Sequence, residues 1–267
     1  MKLLSIYNRG RTNNLMSHEG DLNNARKAYL AKKNYNLIFL LESRFSWMNQ
    51  FIDQNMSGIE LGSGIAASKD FIKIKNFLTT DFNLSPWIDI QNVNALSTPF
   101  QDSSKDFIIA SNMIHHLAKP TDFFNEARRI LKPGGLLLIQ EVHTSIFMRI
   151  ILRLMHHEGY NEQIDVFNRN LICNDPDDLW SANNSIPKLL FQKNLFEENY
   201  VDWKIIFDKK VEFLTFLNSG GVTAKTFYIP LPLSILKFLY CLDNIITKYL
   251  PEIFALQRQI VIKKSIN

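Results

Sequence analysis

Apolar and polar positions change their period several times along the chain, and each change marks an element. Tyr35 to Phe51 carries Leu37, Leu40, Leu41, Phe45, Met48 and Phe51, the three- and four-residue spacing of a helix face. Residues 1–34 before it are polar and rich in asparagine, and read as a loose arm with a short helix. Short apolar runs then begin. Met56–Leu61, Phe77–Thr80, Ile88–Val93, Asp106–Ser111 and Leu136–Val142 read as strands. Between the last two, Thr121–Leu131 has an apolar face of Phe123, Phe124, Ala127, Ile130 and Leu131. Pro120 opens it and Lys132-Pro133-Gly134-Gly135 stops it, as helix punctuation requires. Strands alternating with helices predict an α/β fold with a parallel sheet, and a ligand beyond the carboxyl ends of the strands.

The pattern is irregular from Thr144 to Tyr200, rich in His, Asn and Asp, and reads as an inserted loop or lid. Trp203–Phe207 and Gln259–Lys263 are late strand candidates. Between them, Leu231 to Leu250 places Ser234, Lys237, Cys241, Asn244 and Lys248 on one stripe. That is an amphipathic helix, read as covering the core, with a membrane-surface helix as the alternative. Its charges exclude a membrane span. There is no internal repeat and no low-complexity tract. The expected division is an arm and helix over 1–55 and one domain over 56–267, with 144–200 as an acceptor-side insertion.

Composition narrows the picture only a little. With 267 residues, 46% of them hydrophobic, the chain suits one large α/β domain with embellishments or two small ones. A net charge of +4 and the lack of any basic run with interleaved aromatics argue against nucleic acid as a partner. Cys173 and Cys241 lie far apart and form neither a disulfide framework nor a metal-ligand spacing, so no metal is expected, and the location expected is the cytoplasm. The apolar stretch at the N-terminus is too short for a signal peptide.

The chemistry concentrates at Gly58-Ile59-Glu60-Leu61-Gly62-Ser63-Gly64-Ile65-Ala66, an apolar strand that ends in an acid and a glycine turn. Glycines are needed where φ is positive or where a ligand approaches closer than a Cβ allows. Ile65–Lys75 would then open a helix whose N-terminus faces the same ligand. Ala66 stands near the place of the third glycine of a dinucleotide fingerprint, so this segment alone leaves a nucleotide-type ligand and a plain turn both open.

The ordered pieces that follow resemble the class I S-adenosylmethionine-dependent methyltransferases, of the methyltransferase type 11 kind. Glu60-Leu61-Gly62-Ser63-Gly64 matches the cofactor turn, and Thr79-Thr80-Asp81 puts an acid at the end of the second strand. Asn94-Ala95-Leu96 with Pro99-Phe100, then Ser111-Asn112-Met113-Ile114-His115-His116-Leu117, and finally Phe124 to Gly135 complete the order over about residues 57–142. The resemblance implies a Rossmann-like, mostly parallel seven-stranded sheet flanked by helices, with an N-terminal helical arm and a lid region inserted after strand five. It implies S-adenosyl-L-methionine as cofactor, held by Glu60, Gly62, Ser63, Gly64, Asp81, Asn94, Ala95 and Ser111. Asp81 would take the ribose hydroxyls, Asn94 the adenine amino group, and Glu60 the turn itself or the cofactor's ammonium through water.

Arg44, Pro86-Trp87-Ile88-Asp89, His156-His157-Glu158, Asn183 to Phe191 and Ser219-Gly220-Gly221 carry a narrower resemblance, to bacterial methyltransferases encoded with surface-polysaccharide genes. It implies a small-molecule, sugar or glycolipid acceptor and O-methylation. His115, His116, His143 and His156 are the candidate proton acceptors, each with a packing or capping role as its alternative. Two further readings stand beside the methyltransferase: a nicotinamide-dependent oxidoreductase on a similar sheet, and a cofactor-binding partner without turnover. A base methyltransferase of nucleic acid is disfavoured, because Ser111-Asn112-Met113-Ile114 is not the Pro-Pro-aromatic element such enzymes carry.

Overall fold

All four residues of Gly58-Ile59-Glu60-Leu61 are buried, and a strand buried on both faces needs neighbours on both sides. The computed structural model, which describes residues 21–155, 158–223 and 226–266, supplies them. β1 (Gly58–Leu61) pairs in parallel with β2 (Phe77–Asp81), and β3 (Ile90–Gln91) extends that edge. On its other side β1 pairs in parallel with β4 (Lys105–Ser111), and β4 with β5 (Leu131–Val142). β6 (Trp203–Val211) is the far edge. β7 (Gln257–Lys264) lies antiparallel between β5 and β6. The order is β3-β2-β1-β4-β5-β7-β6, with β7 alone reversed, so β6 runs in the direction of β5.

The helices in chain order are α1 (Leu22–Leu30), α2 (Tyr35–Phe45), α3 (Pro120–Ile130), α4 (Ile146–Met155), α5 (Ile186–Leu190), α6 (Leu195–Asn199), α7 (Leu214–Leu217), α8 (Leu233–Tyr249) and α9 (Pro251–Phe254). Strand side chains alternate between two faces. Phe107, Ile109 and Leu138 join Leu37, Leu41 and Phe45 of α2 in one cluster. Ile108, Ala110, Leu137 and Ile139 join Phe123, Phe124 and Ile130 of α3 in the other. α2 is further tied to the end of β6 by a buried ion pair, Arg44 Nη2 to Glu212 Oε2 at 2.7 Å. Glu212 follows β6 with φ 61°.

Several expectations are corrected. β1 starts at Gly58 rather than Met56; a Cβ on Gly58 would stand 2.3 Å from the Phe107 ring, so this glycine makes room for that ring. The helix expected over Ile65–Lys75 is a four-residue 3₁₀ turn, Ala67–Asp70. Ala66 is left-handed, and the polar side chains of the segment are tied to other parts of the chain, Ser68 inward to buried Glu60, Lys69 to Asp89 and Asp70 to Tyr29 and Lys32. The helix from Tyr35 ends at Phe45 and continues as a 3₁₀ turn. The third strand shrinks to Ile90–Gln91. β5 starts at Leu131, because Pro133-Gly134-Gly135 is absorbed as an irregularity with Gly134 at φ 76°.

The 144–200 segment is less separate than the insertion expected. Its second half enters the main core through Ile186, Leu190, Phe191 and Phe196, each at most 1% exposed. α8 has the expected span but not the expected packing. It buries Leu236, Asp243 and Thr247 and leaves Phe238, Ile245 and Tyr249 exposed. Among the described residues no helix is long and apolar enough to cross a membrane.

Candidate active site at the carboxyl edge

Register decides which loop residues meet. Leu61 is the partner of Thr80 on one side and Ala110 on the other, so Gly62, Asp81 and Ser111 follow at the same level on three adjacent strands. Gly62 and Gly64 have φ of 72° and 52°, and Ala66 also lies at φ 52°. The turn is locked to β2: Ser63 N donates to Thr80 O at 3.0 Å, and Thr80 N to Ser63 Oγ at 3.1 Å. Asp81, 5% exposed, accepts Gly64 N at 2.7 Å through Oδ2 and Asn83 N at 2.8 Å through Oδ1.

Glu60 is buried beneath the turn and takes the Ser68 hydroxyl, so it organises the loop. Burial pushes its carboxyl up to about 7, against the pull of Ser68 and Ser63. Asn94 is exposed, and its Oδ1 accepts Leu96 N at 2.9 Å, with Ala95 between them in an Asx turn.

The turn fits a ligand that touches backbone. A Cβ on Gly64 would meet nothing nearer than Leu22 Cδ2 at 3.8 Å, so the backbone there is open. At Gly62 the constraint is the protein itself, since a Cβ would lie 2.5 Å from Met113 Cγ. Two residues not singled out for this loop also hold it. Trp87 Nε1 donates to Gly64 O at 2.8 Å, and Arg26 Nη1 of α1 to Ile65 O at 2.6 Å.

Met113 joins this turn to a second cluster. Glu141, fully buried near the end of β5, accepts Met113 N at 2.6 Å and Ile114 N at 2.5 Å through Oε1. Its Oε2 lies 2.7 Å from His115 Nδ1. An ionised carboxylate only accepts, so Nδ1 of His115 carries a proton and Nε2 faces Glu158 Oε2 at 3.9 Å. Burial lowers the His115 pKa, but the charges of Glu141 and Glu158 and the Glu141 hydrogen bond outweigh it and hold the ring above its ordinary value.

Glu141 is the central residue that sequence reasoning passed over. It had the same signal as Glu60, an acid closing an apolar strand.

His116 stacks near His115, ring centroids 4.2 Å apart, and donates from Nδ1 to Ser181 O at 3.2 Å. Burial, then the neighbouring His115 charge, lowers its pKa to about 4. The 158–185 segment is docked on this loop by Asn183 N to His115 O at 2.9 Å and Asn174 Nδ2 to His115 O at 2.8 Å. His115, His116 and Glu158 each offer a ligand atom within 4.8 Å of the others. His143 is placed apart, with Nε2 3.4 Å from Glu252 Oε1, and burial pushes it down to about 3. His156 lies outside the described residues. Ser111 is half-buried beside Asn112.

A methyltransferase-domain family model matches residues 60–139, the stretch from Glu60 to the middle of β5. Trichosetin synthetase PKS-NRPS1 of Gibberella fujikuroi is 33% identical over 92 residues, 34% of this chain and 2% of that protein. The ubiquinone/menaquinone biosynthesis C-methyltransferase UbiE of Ruegeria is 29% identical over 79 residues, 30% of this chain and 28% of that one. The chain thus spans a small part of the curated relatives it matches. A SAM-dependent methyltransferase from Archaeoglobus fulgidus shares the fold over 90% of this chain and 99% of its own, with a TM-score of 0.50 and 15% identity. The dinucleotide fold runs 3-2-1-4-5-6 in parallel; here a reversed β7 enters between β5 and β6. Residues 60–139 thus match a methyltransferase domain, and the chain shares the fold of a SAM-dependent methyltransferase, with a glycine turn at the carboxyl edge of the sheet that fits S-adenosylmethionine as ligand.

Proposed function

We propose that this protein transfers the methyl group of S-adenosylmethionine to a hydroxyl of a sugar-like or glycolipid acceptor, with His115 as proton acceptor. The observation that carries the reading is the Glu141–His115–Glu158 arrangement on the loop whose Met113 leans against the Gly62 turn. Asp81 would hold the ribose hydroxyls, the Gly62–Gly64 backbone the amino-acid end, and Asn94 and Ala95 the adenine side. Ser111 lines the level between cofactor and acceptor. Glu60 supports the turn from below.

The cofactor supplies an activated methyl, so the protein's share is orientation and proton removal. Glu141 fixes the tautomer that leaves the His115 Nε2 lone pair to take a proton from the acceptor oxygen. A neutral hydroxyl is a poor nucleophile, and a positioned base is worth roughly 10²–10⁴-fold. The sugar-like acceptor rests on orphaned polar atoms. Thr144 Oγ1, Asn184 Oδ1 and Ser185 Oγ are buried without a hydrogen-bond partner among the described residues. Asn184 Nδ2 holds Glu158 Oε2 at 2.9 Å, which links that residue to the His115 cluster, and Lys188 Nζ lies 3.5 Å from the backbone carbonyl of Thr144. Such groups suit a ligand with several hydroxyls.

The test is single-turnover methyl transfer against pH, using extracted saccharides and glycolipids as acceptor pool. His115→Gln should lose the rate and keep the cofactor; His116→Gln, His143→Gln and His156→Gln should not. The wild-type rate should rise with pH along a limb above the ordinary histidine range of about 6.5. Near-native transfer by His115→Gln would remove the base from this position. A second reading has its own observation, the convergence of His115, His116 and Glu158. Loss of transfer on chelation, restored by zinc, would assign those residues to a metal instead.

A further inference from the structure

We infer that α8 is a docking face for an anionic lipid bilayer, with α4, joined to it through α9, presenting a second apolar arc. Of the α8 side chains, the buried ones include Asp243 and Thr247, whereas Phe238, Ile245 and Tyr249 are 63%, 52% and 71% exposed. This inverts the usual arrangement of a surface helix. The inversion is anchored: the Asp243 carboxylate accepts Leu214 N at 2.8 Å, Thr215 N at 3.0 Å and the Thr215 hydroxyl at 2.5 Å. The helix therefore cannot roll its apolar stripe inward without stripping a buried acid of its donors.

At 100° per residue, Phe238, Ile245 and Tyr249 share one outward arc, with Ile235 at its margin. Lys237 and Lys248 border that arc, and Asp243 is the only acid on the helix. α4 repeats the pattern. Ile146, Ile150 and Leu154 are exposed four residues apart, Arg149 and Arg153 are its only charges, and it has no acid. Both helices lean on the same minor cluster, α4 through Met148 and Leu152 and α8 through Ile246.

The α8 arc, bordered by Lys237 and Lys248 and with no outward acid on the helix itself, matches a headgroup region. There, apolar side chains enter the acyl boundary and lysines reach anionic phosphates. On α4 Arg149 is paired with Glu162, and Glu252 is exposed on α9 between the two helices, so the cationic rim is that of α8. A protein partner fits less well, because lysine is depleted at protein interfaces. α4 directly follows β5, and α7 and α8 follow β6, which runs parallel to β5. The face thus belongs to the carboxyl edge of the sheet, the acceptor side.

The experiment is co-sedimentation of the full chain with phosphatidylglycerol–phosphatidylcholine vesicles and with pure phosphatidylcholine vesicles. It needs no turnover, so it stands apart from the proposed reaction. The chain should bind the anionic vesicles and lose binding with rising salt. Phe238→Ser/Ile245→Ser/Tyr249→Ser should bind at least tenfold more weakly with unchanged circular dichroism and cofactor affinity. Lys237→Gln/Lys248→Gln should bind anionic vesicles roughly ten- to thirtyfold more weakly. Absence of sedimentation with either vesicle overturns the inference, as does unaltered binding by the triple variant. A concentration-dependent dimer in light scattering that the triple variant abolishes would give the face to a second copy instead.

Discussion

At the scale of single residues, three buried carboxylates divide the work. Asp81 faces the turn, and Asp81→Ala should weaken S-adenosylmethionine binding by roughly 1.5–3 kcal/mol, the scale of hydrogen bonds to a charged group. Asn94→Ala should cost less, since its bond is neutral. Calorimetry on both folded variants checks the order, and the reverse order would exchange the two ends of the cofactor. Glu60 is a different case. Its folded pKa, about 7, lies above the ordinary value of 4.5, so the folded state holds more protons between those limits. Its contribution is complete below about pH 4.5 and falls as pH rises through 7, by up to ~3 kcal/mol. Glu60→Gln should flatten that dependence in urea melts taken at pH 5 and pH 8. Glu141 sets a tautomer, and Glu141→Gln would turn an amide NH₂ toward His115 Nδ1 and move the ring proton to Nε2. Transfer should fall roughly 10²–10⁴-fold with cofactor affinity retained; an unchanged rate would separate Glu141 from the chemistry.

At the scale of elements, long-range pairs join parts that the chain separates. Arg44 on α2 and Glu212 after β6 are 168 residues apart and both buried. Burial raises the Glu212 pKa, Arg44 opposes it, and Asp243 adds to it. Arg44→Met leaves a buried charge without its partner and should cost about 3–5 kcal/mol at pH 8. The loss should be smaller at pH 5, where Glu212 takes a proton in the folded variant. Melting temperatures at the two pH values read the difference, and equal losses would refute it. The same scale revises the insertion. Phe196 packs fully buried against Phe124, ring centroids 4.9 Å apart. Phe196→Ala should therefore destabilise the whole fold by about 3–5 kcal/mol, as an independent lid would not. The apolar spacing of residues 186–196 was visible in the chain, but its irregular neighbours hid its destination.

Across the whole molecule, the proposed cofactor and acceptor sides fall on different strands: Gly62 follows β1 and Asp81 ends β2, whereas Glu141 lies near the end of β5 and the α4–α8 region follows β5 and β6. Variants at Asp81 should thus change cofactor affinity first, and variants at His115 the rate at saturating cofactor. Parallel measurement of Kd and single-turnover rate distinguishes them. If Asp81→Ala left Kd alone and lowered only the rate, the division would be wrong.

Apolar runs, glycine positions and the two helix punctuations were enough to read β1, β2, β4 and β5, the glycine turn and Asp81. These are local patterns, where period and backbone freedom are written in neighbouring residues. The chain alone also showed that an acid ends β1 and that a His-His pair follows β4. It could not show that Glu141 meets His115 from the neighbouring strand, because that depends on sheet register. Nor could it show that Ala66 is left-handed and ends the helix expected after it, or that Glu158 arrives from the insertion. The α8 pattern was readable as amphipathic, but which arc faces inward was decided by Asp243 and its donors on the 213–215 backbone. A helical wheel records which side chains share a face; the surrounding hydrogen-bond donors determine which face is buried.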